Sequence, residues 1–191
     1  MKHTNESGRS MVEMLGVLAI IGVLSVGGIA GYSMAMSKFK ITKTIDQVQT
    51  IITNLRTLYA SQRTYNALTP ETAFNMGILT EETYDAGTQT GLNPFGGEIS
   101  FGTGRTAGAN RSFTIEYDGL TAEACVKLAT ADWGADASSG LLAITTGGAA
   151  DATFTWGGAN PLPPDLITVA DSCATAGDGA NNSSSVRWEF R

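Results

Sequence analysis

The chain has 191 residues, a net charge of −6 and 16% charged residues, which allows one ordinary domain with its own core and one long additional element. Lysine and arginine form no cluster beyond about the first forty residues, so a nucleic-acid groove, which needs a basic stripe, is excluded. The only histidine is His3 and the serine run at 183–185 has no base beside it, so we expect no enzyme, cofactor or metal site.

An apolar run near the amino terminus is long enough to cross a bilayer. Residues 14–36 contain no charge, and their polar interruptions are Ser25, Tyr32 and Ser33. A secretory signal peptide cut after Ala35 and a plain membrane anchor both fit this run. Neither explains Glu13, whose carboxylate at the edge of hydrocarbon costs a few kcal/mol.

Gly8 ends a short polar leader ahead of this run. A glycine leaves the backbone open to a peptidase, and cleavage after it would make Arg9 the amino terminus and Glu13 the fifth residue. This pattern resembles the type IV prepilins. The resemblance implies cleavage after Gly8, methylation of the new terminus and a retained helix that forms a filament core. Arg9 departs from the family, which usually has phenylalanine or another apolar residue there.

The resemblance also implies that Glu13 pairs with the terminal ammonium of Arg9 in a neighbouring subunit. In a low-dielectric bundle the attraction is strong but desolvation cancels much of it, so the pair chiefly sets register. The alternative is that Glu13 simply lies among lipid headgroups. A second assembly feature is a set of glycines, which either allow close helix packing or let the helix unwind under tension: Gly22, Gly27, Gly28 and Gly31.

Beyond the apolar run, one stripe of large side chains repeats at spacings of 4, 3, 4, 3 and 4. It comprises Ile41, Ile45, Val48, Ile52, Leu55 and Tyr59. We therefore predict a single helix over about residues 10–62, apolar all round at first and one-sided later. The predicted organisation is a leader at 1–8, a hydrophobic half-helix at 9–37 and a globular head at 38–191.

Shorter elements follow in the head. The pattern predicts a helix at 70–76 capped by Thr69, a turn at 80–82, strands at 98–101 and 112–117, a helix at 118–129 capped by Thr121, and strands at 166–170 and 186–190. Trp133 and Trp156 are candidate ligand contacts, with core or subunit packing as the alternative.

The head carries two cysteines, Cys125 and Cys173. In an exported chain they indicate one disulfide, whereas two unrelated buried thiols are the alternative. The segments "NPFGG" and "GLTAEAC" and the second cysteine resemble the type IVb pilins, in which the disulfide staples the carboxy-terminal region. Residues 133–164 match nothing in that pattern. The resemblance implies an α+β pilin fold, with one long amino-terminal helix packed against an antiparallel sheet and short extra helices.

We therefore expect a filament-forming, major subunit of a type IVb-like pilus, inserted in the bacterial inner membrane as a prepilin and then displayed on the cell surface. The resemblance implies a homopolymer and four partners: a prepilin peptidase, an inner-membrane platform protein, an assembly ATPase and an outer-membrane secretin. Alternatives are a minor pilin or a type II secretion pseudopilin. Glu13 argues against a tip-initiating minor subunit, which often lacks that residue.

Overall fold

A computed structural model of the chain describes residues 7–62, 64–104, 106, 110–134, 137–148, 150–174 and 184–191. The chain divides into two compact units, Met1–Phe39 and Lys40–Arg191. The first unit contains the apolar part of helix α1 (Ser7–Leu58). The second unit contains the rest of α1 and every other element, and we call it the head.

Within the head, α1 is amphipathic as predicted. Its buried apolar side chains lie on one face and belong to the hydrophobic core: Ile41, Val48, Ile51, Ile52 and Leu55. The helix ends at Leu58, four residues earlier than the predicted 62. The chain turns there, and the ring of Tyr59 packs against that of Tyr65, with 5.0 Å between ring centroids.

The sheet of the head is antiparallel throughout. Its strands are β1 (Tyr84–Asp85), β2 (Thr90–Leu92), β3 (Glu98–Thr103), β4 (Phe113–Leu120), β5 (Leu141–Gly147), β6 (Ala152–Thr155) and β7 (Ser184–Phe190). Their spatial order is β1-β2-β3-β4-β7-β5-β6. The last strand in the sequence is therefore central, hydrogen-bonded to β4 on one side and β5 on the other. Among the described residues of the head there are also three short α-helices, α2 (Pro70–Asn75), α3 (Ala122–Ala129) and α4 (Leu166–Cys173), and one turn of 3-10 helix at Ala137–Ser139.

Alternation along β7 places its large apolar side chains in the core. Val186 and Trp188 are fully buried and Phe190 is 2% exposed, whereas Arg187 lies on the other face. The indole of Trp188 meets the ring of Tyr117 edge-on, with 5.8 Å between centroids. The β7 alternation predicted from sequence is thus what fills the centre of the core.

The predicted strand at 166–170 is wrong, because this segment is helix α4. The side chain of Asp165 accepts a hydrogen bond from the backbone N–H of Thr168 and so caps the helix. The buried residues of α4 are Val169, Ser172 and Cys173, at the spacing of one helical face. Leu166 and Ile167, which suggested a strand, are exposed.

The predicted helix at 118–129 begins later than expected. Leu120 still pairs with Ser184 at the end of β4, so residues 118–120 are strand. Thr121 is the N-cap as predicted, and its hydroxyl accepts from the N–H of Ala124. The short helix capped by Thr69 is also confirmed, as α2.

Tyr117 supplies a test of this core. Its hydroxyl is buried and has no hydrogen-bond partner among the described residues, and burial raises the pKa of the phenol well above its ordinary value. As the pH rises above about 10, the phenol therefore ionises in the unfolded chain before it does so in the folded chain, and the free energy of unfolding falls. Below about pH 10 the phenol is neutral in both states, and its full contribution to the free energy of unfolding is present.

We expect Tyr117→Phe to leave the free energy of unfolding at pH 7 unchanged or about 1 kcal/mol higher, because it removes an unpaired buried hydroxyl. The variant should also lose less stability at alkaline pH. Urea unfolding at neutral and alkaline pH measures both, with Tyr59→Phe as the control. A variant that loses as much alkaline stability as the control contradicts this assignment.

Candidate functional site

The first unit carries an uncovered apolar surface. Every large apolar side chain from Met11 to Met34 is exposed, with fractional exposures between 52% and 75%. Soluble monomers rarely expose apolar patches beyond a few hundred Å² unless the patch binds something. This part of α1 therefore needs a cover of lipid or of protein.

The same helix is long and apolar enough to cross a membrane, judged by length and composition. It is the one such helix among the described residues, and the stretch that qualifies begins at Met11. Its apolar part exceeds the roughly 20 residues that span a hydrocarbon core. Lipid is thus a physically adequate cover for this surface.

Glu13 is the acidic residue at the start of this surface. Its side chain is exposed, its neighbours Val12 and Met14 are exposed and apolar, and no ion pair of Glu13 occurs among the described side chains. Gly8 and Arg9 lie in the first turns of α1, but the side chains of residues 7–10 fall outside the description. Cleavage after Gly8 and pairing of Glu13 with Arg9 therefore stay predictions.

The four glycines of the assembly hypothesis all lie in α1, and none is needed for packing within the described chain. A Cβ atom added at Gly22, Gly27, Gly28 or Gly31 would find no atom within 4 Å. Gly27 and Gly31 stand four residues apart, so they share one helix face. The open space at these glycines fits both hypotheses, close packing against other molecules and a lower helix stability.

In the head, a disulfide joins Cys125 of α3 to Cys173 of α4. Both cysteines are fully buried, so the covalent link lies inside the core. It closes a 48-residue separation that contains β5 and β6. The two short helices are thereby held together independently of their own marginal helical stability.

Buried hydroxyl groups fix α4 further. The hydroxyl of Ser184 donates to the carbonyl oxygen of Cys173 at 2.8 Å, and the hydroxyls of Thr146 and Ser172 are 2.5 Å apart. The carboxyl group of Asp165 caps this helix, and hydrogen bonds from the N–H and the hydroxyl of Thr168 lower its pKa below the ordinary value, so they favour the carboxylate. The sequence does not predict the hydrogen bonds of Ser184 and Thr146, because each joins residues from different elements of the fold.

The two tryptophans differ in exposure, and each indole N–H has a backbone partner. Trp133 is 9% exposed, its indole N–H donates to the carbonyl oxygen of Leu128, and its ring lies 5.0 Å from that of Trp188. Trp156 is half-buried, and its N–H donates to the carbonyl oxygen of Leu141. Core packing, the alternative given from the sequence, accounts for Trp133, whereas Trp156 stays partly exposed.

Comparison with known proteins gives one family. The family described as bundlin matches residues 34–191. The major structural subunit of bundle-forming pilus from Escherichia coli O127:H6 (strain E2348/69 / EPEC) is 29% identical over 139 residues, which cover 72% of this chain and 70% of that protein. The toxin coregulated pilin of Vibrio cholerae is 31% identical over 134 residues, which cover 68% of this chain and 59% of that protein.

Solved structures share the fold. TcpA, a type IV pilin from Vibrio cholerae El Tor biotype, superposes with a TM-score of 0.55 at 18% identity over 80% of this chain and 99% of that chain. A type IVb pilin from Salmonella typhi gives 0.51 at 21% identity, over 78% and 99% respectively. At these identities the likeness establishes architecture, and it confirms a long helix packed on an antiparallel sheet.

The disulfide is expected to stabilise the folded head. Replacing Cys125 and Cys173 together with alanine should lower the free energy of unfolding of the head by about 2–5 kcal/mol, because the unfolded chain regains the freedom of a long loop. Urea unfolding of the variant and of the reduced wild-type protein measures the loss. A change below about 0.5 kcal/mol, the size of an ordinary surface substitution, contradicts it.

Proposed function

Because the chain belongs to the bundlin family of type IV pilins, we propose that it is the major subunit of a type IVb-like pilus. The chain is a structural pilin subunit and not an enzyme. The observation that supports the proposed filament most directly is the apolar surface of residues 11–34, which the described chain leaves uncovered. Copies of the same helix, packed side by side, would cover it.

The subunit first needs a lipid cover before it has neighbours. We propose that it is inserted in the inner membrane as a prepilin through this helix, and that a prepilin peptidase cuts after Gly8. Removal of residues 1–8 exposes a new ammonium at Arg9 while it leaves the whole apolar surface in place. The same cut therefore creates a positive charge that can pair with the carboxylate of Glu13.

Assembly then transfers the helix from lipid to protein. In the filament core, the carboxylate of Glu13 and the ammonium of Arg9 on a neighbouring subunit would meet away from water. A misaligned subunit would leave two buried charges unpaired, at a cost of several kcal/mol per ion. The pair therefore selects one axial register, while the apolar contacts supply most of the cohesion.

The route to the surface requires other proteins. A subunit lifted from a bilayer must be moved by a machine that consumes energy, which supports an assembly ATPase acting through an inner-membrane platform protein. The filament must then cross the outer membrane through a pore, and this need supports an outer-membrane secretin as a further partner. The finished homopolymer would be a pilus displayed outside the cell.

Cleavage after Gly8 has a direct readout. The intact mass of the protein purified from filaments should equal that of residues 9–191, less the two hydrogens lost in the disulfide. One extra methyl group would show that Arg9 is methylated. A mature chain that begins after Ala35 would mean that the apolar helix is discarded, and would overturn the proposal.

The role of Glu13 is tested by substitution. Glu13→Ala should still insert in the membrane, since it removes a charge, but few or no filaments should form, because misregistered subunits are no longer penalised and Arg9 loses its partner. Electron microscopy of cells and immunoblots of membrane and sheared fractions measure both stages. Glu71→Ala, an exposed acid of α2, is the matched control. Normal piliation by the Glu13 variant contradicts the assembly role.

A further inference from the structure

A cavity of about 320 Å³ opens in the head beside the carboxyl end of α3. Its apolar walls include Trp133, Ile144, Trp156, Leu162 and Pro164. Pockets for small ligands begin at about 300 Å³ and are lined mainly by such side chains, with few polar groups. The cavity therefore has the size and the surface for a small organic molecule.

The two indoles of this cavity are fixed in place. Each indole N–H donates a 2.7 Å hydrogen bond to a backbone carbonyl of the head, from Trp133 to Leu128 and from Trp156 to Leu141. Neither N–H is free to bind a ligand. What remains for a ligand is the electron-rich surface of the rings, chiefly that of the half-buried Trp156, since Trp133 is 9% exposed and packs against Trp188.

The charge of the side chains on the cavity wall determines which ligands the cavity can bind. Among the described residues that line the cavity, Asp132 alone is charged. Its side chain is exposed, and one carboxylate oxygen accepts the N–H of Gly134 at 3.1 Å. A carboxylate beside two indoles attracts cations and repels anions. The net charge of −6 acts in the same direction.

The hydrogen-bonding capacity of the walls narrows the class of cation. A primary ammonium brings three N–H donors that need acceptors when water is removed. The described side chains of the cavity wall offer two acceptor groups: the carboxylate of Asp132, and the hydroxyl oxygen of Thr130, whose hydrogen is donated to the carbonyl oxygen of Val126. A quaternary ammonium carries its charge under methyl groups and needs no acceptor, so aromatic rings and one carboxylate suffice for it.

We propose that the cavity bounded by Trp133, Trp156 and Asp132 binds the quaternary ammonium group of a small free molecule such as choline. The inference goes beyond the pilus role and does not depend on it. A ligand with a phosphate next to the ammonium fits less well, because no basic side chain lies among the described walls and Asp132 would repel the phosphate.

The test uses the full chain in maltoside micelles with ¹⁵N-labelled tryptophan, which gives three indole signals. Addition of choline should shift the signals of Trp133 and Trp156 most, in a saturable way. Its neutral isostere 3,3-dimethylbutan-1-ol should bind at least about tenfold more weakly, since it has the same shape without the charge. Equal binding of the two compounds, or no shift with either, overturns the proposal.

Two variants locate the site. Asp132→Asn keeps an acceptor for Gly134 but removes the charge, and should weaken choline binding about tenfold. Asp171→Asn, at an exposed position of α4 away from the cavity walls, should leave it unchanged. Unaltered binding by the Asp132 variant overturns the proposal. Binding to phosphocholine vesicles without binding to free choline would also overturn it.

Discussion

The constraint on which the molecule depends is the need to cover the apolar surface of residues 11–34. No described side chain of the protein does so, and water is a poor solvent for it. Lipid and identical helices are both adequate covers. A chain that can exchange one for the other has a stable form before assembly and a stable form after it. We propose that Glu13 is the polar group that distinguishes the two forms.

The head meets the opposite requirement, because it must be stable in water on its own. Its half of α1 is one-sided, and its apolar stripe enters a core filled by alternating residues of β4 and β7. The disulfide joins α3 to α4 inside the core. The hydrogen bond from the indole of Trp133 to the carbonyl oxygen of Leu128 ties the cavity wall to the end of α3.

Local patterns in the sequence were sufficient for α1, α2, β3, β4 and β7, because periodicity and capping residues act over neighbouring positions. They failed for α4, where the β-branched run after Asp165 favours a strand but the cap and the buried link at Cys173 favour a helix. Strands β5 and β6 were missed for a different reason. Their short, threonine- and alanine-rich sequences become strands through pairing with β7 and with each other, which only the folded chain reveals.

We propose that Glu13 finds its partner on a neighbouring subunit. The most direct measurement is solid-state NMR of filaments mixed from two pools of subunits, one ¹⁵N-labelled at the Arg9 amino group and the other ¹³C-labelled at the Glu13 carboxyl. Dipolar coupling between the two labels is predicted, because the pair would be joined at hydrogen-bond distance across a subunit boundary. Well-ordered filaments without that coupling would contradict the account.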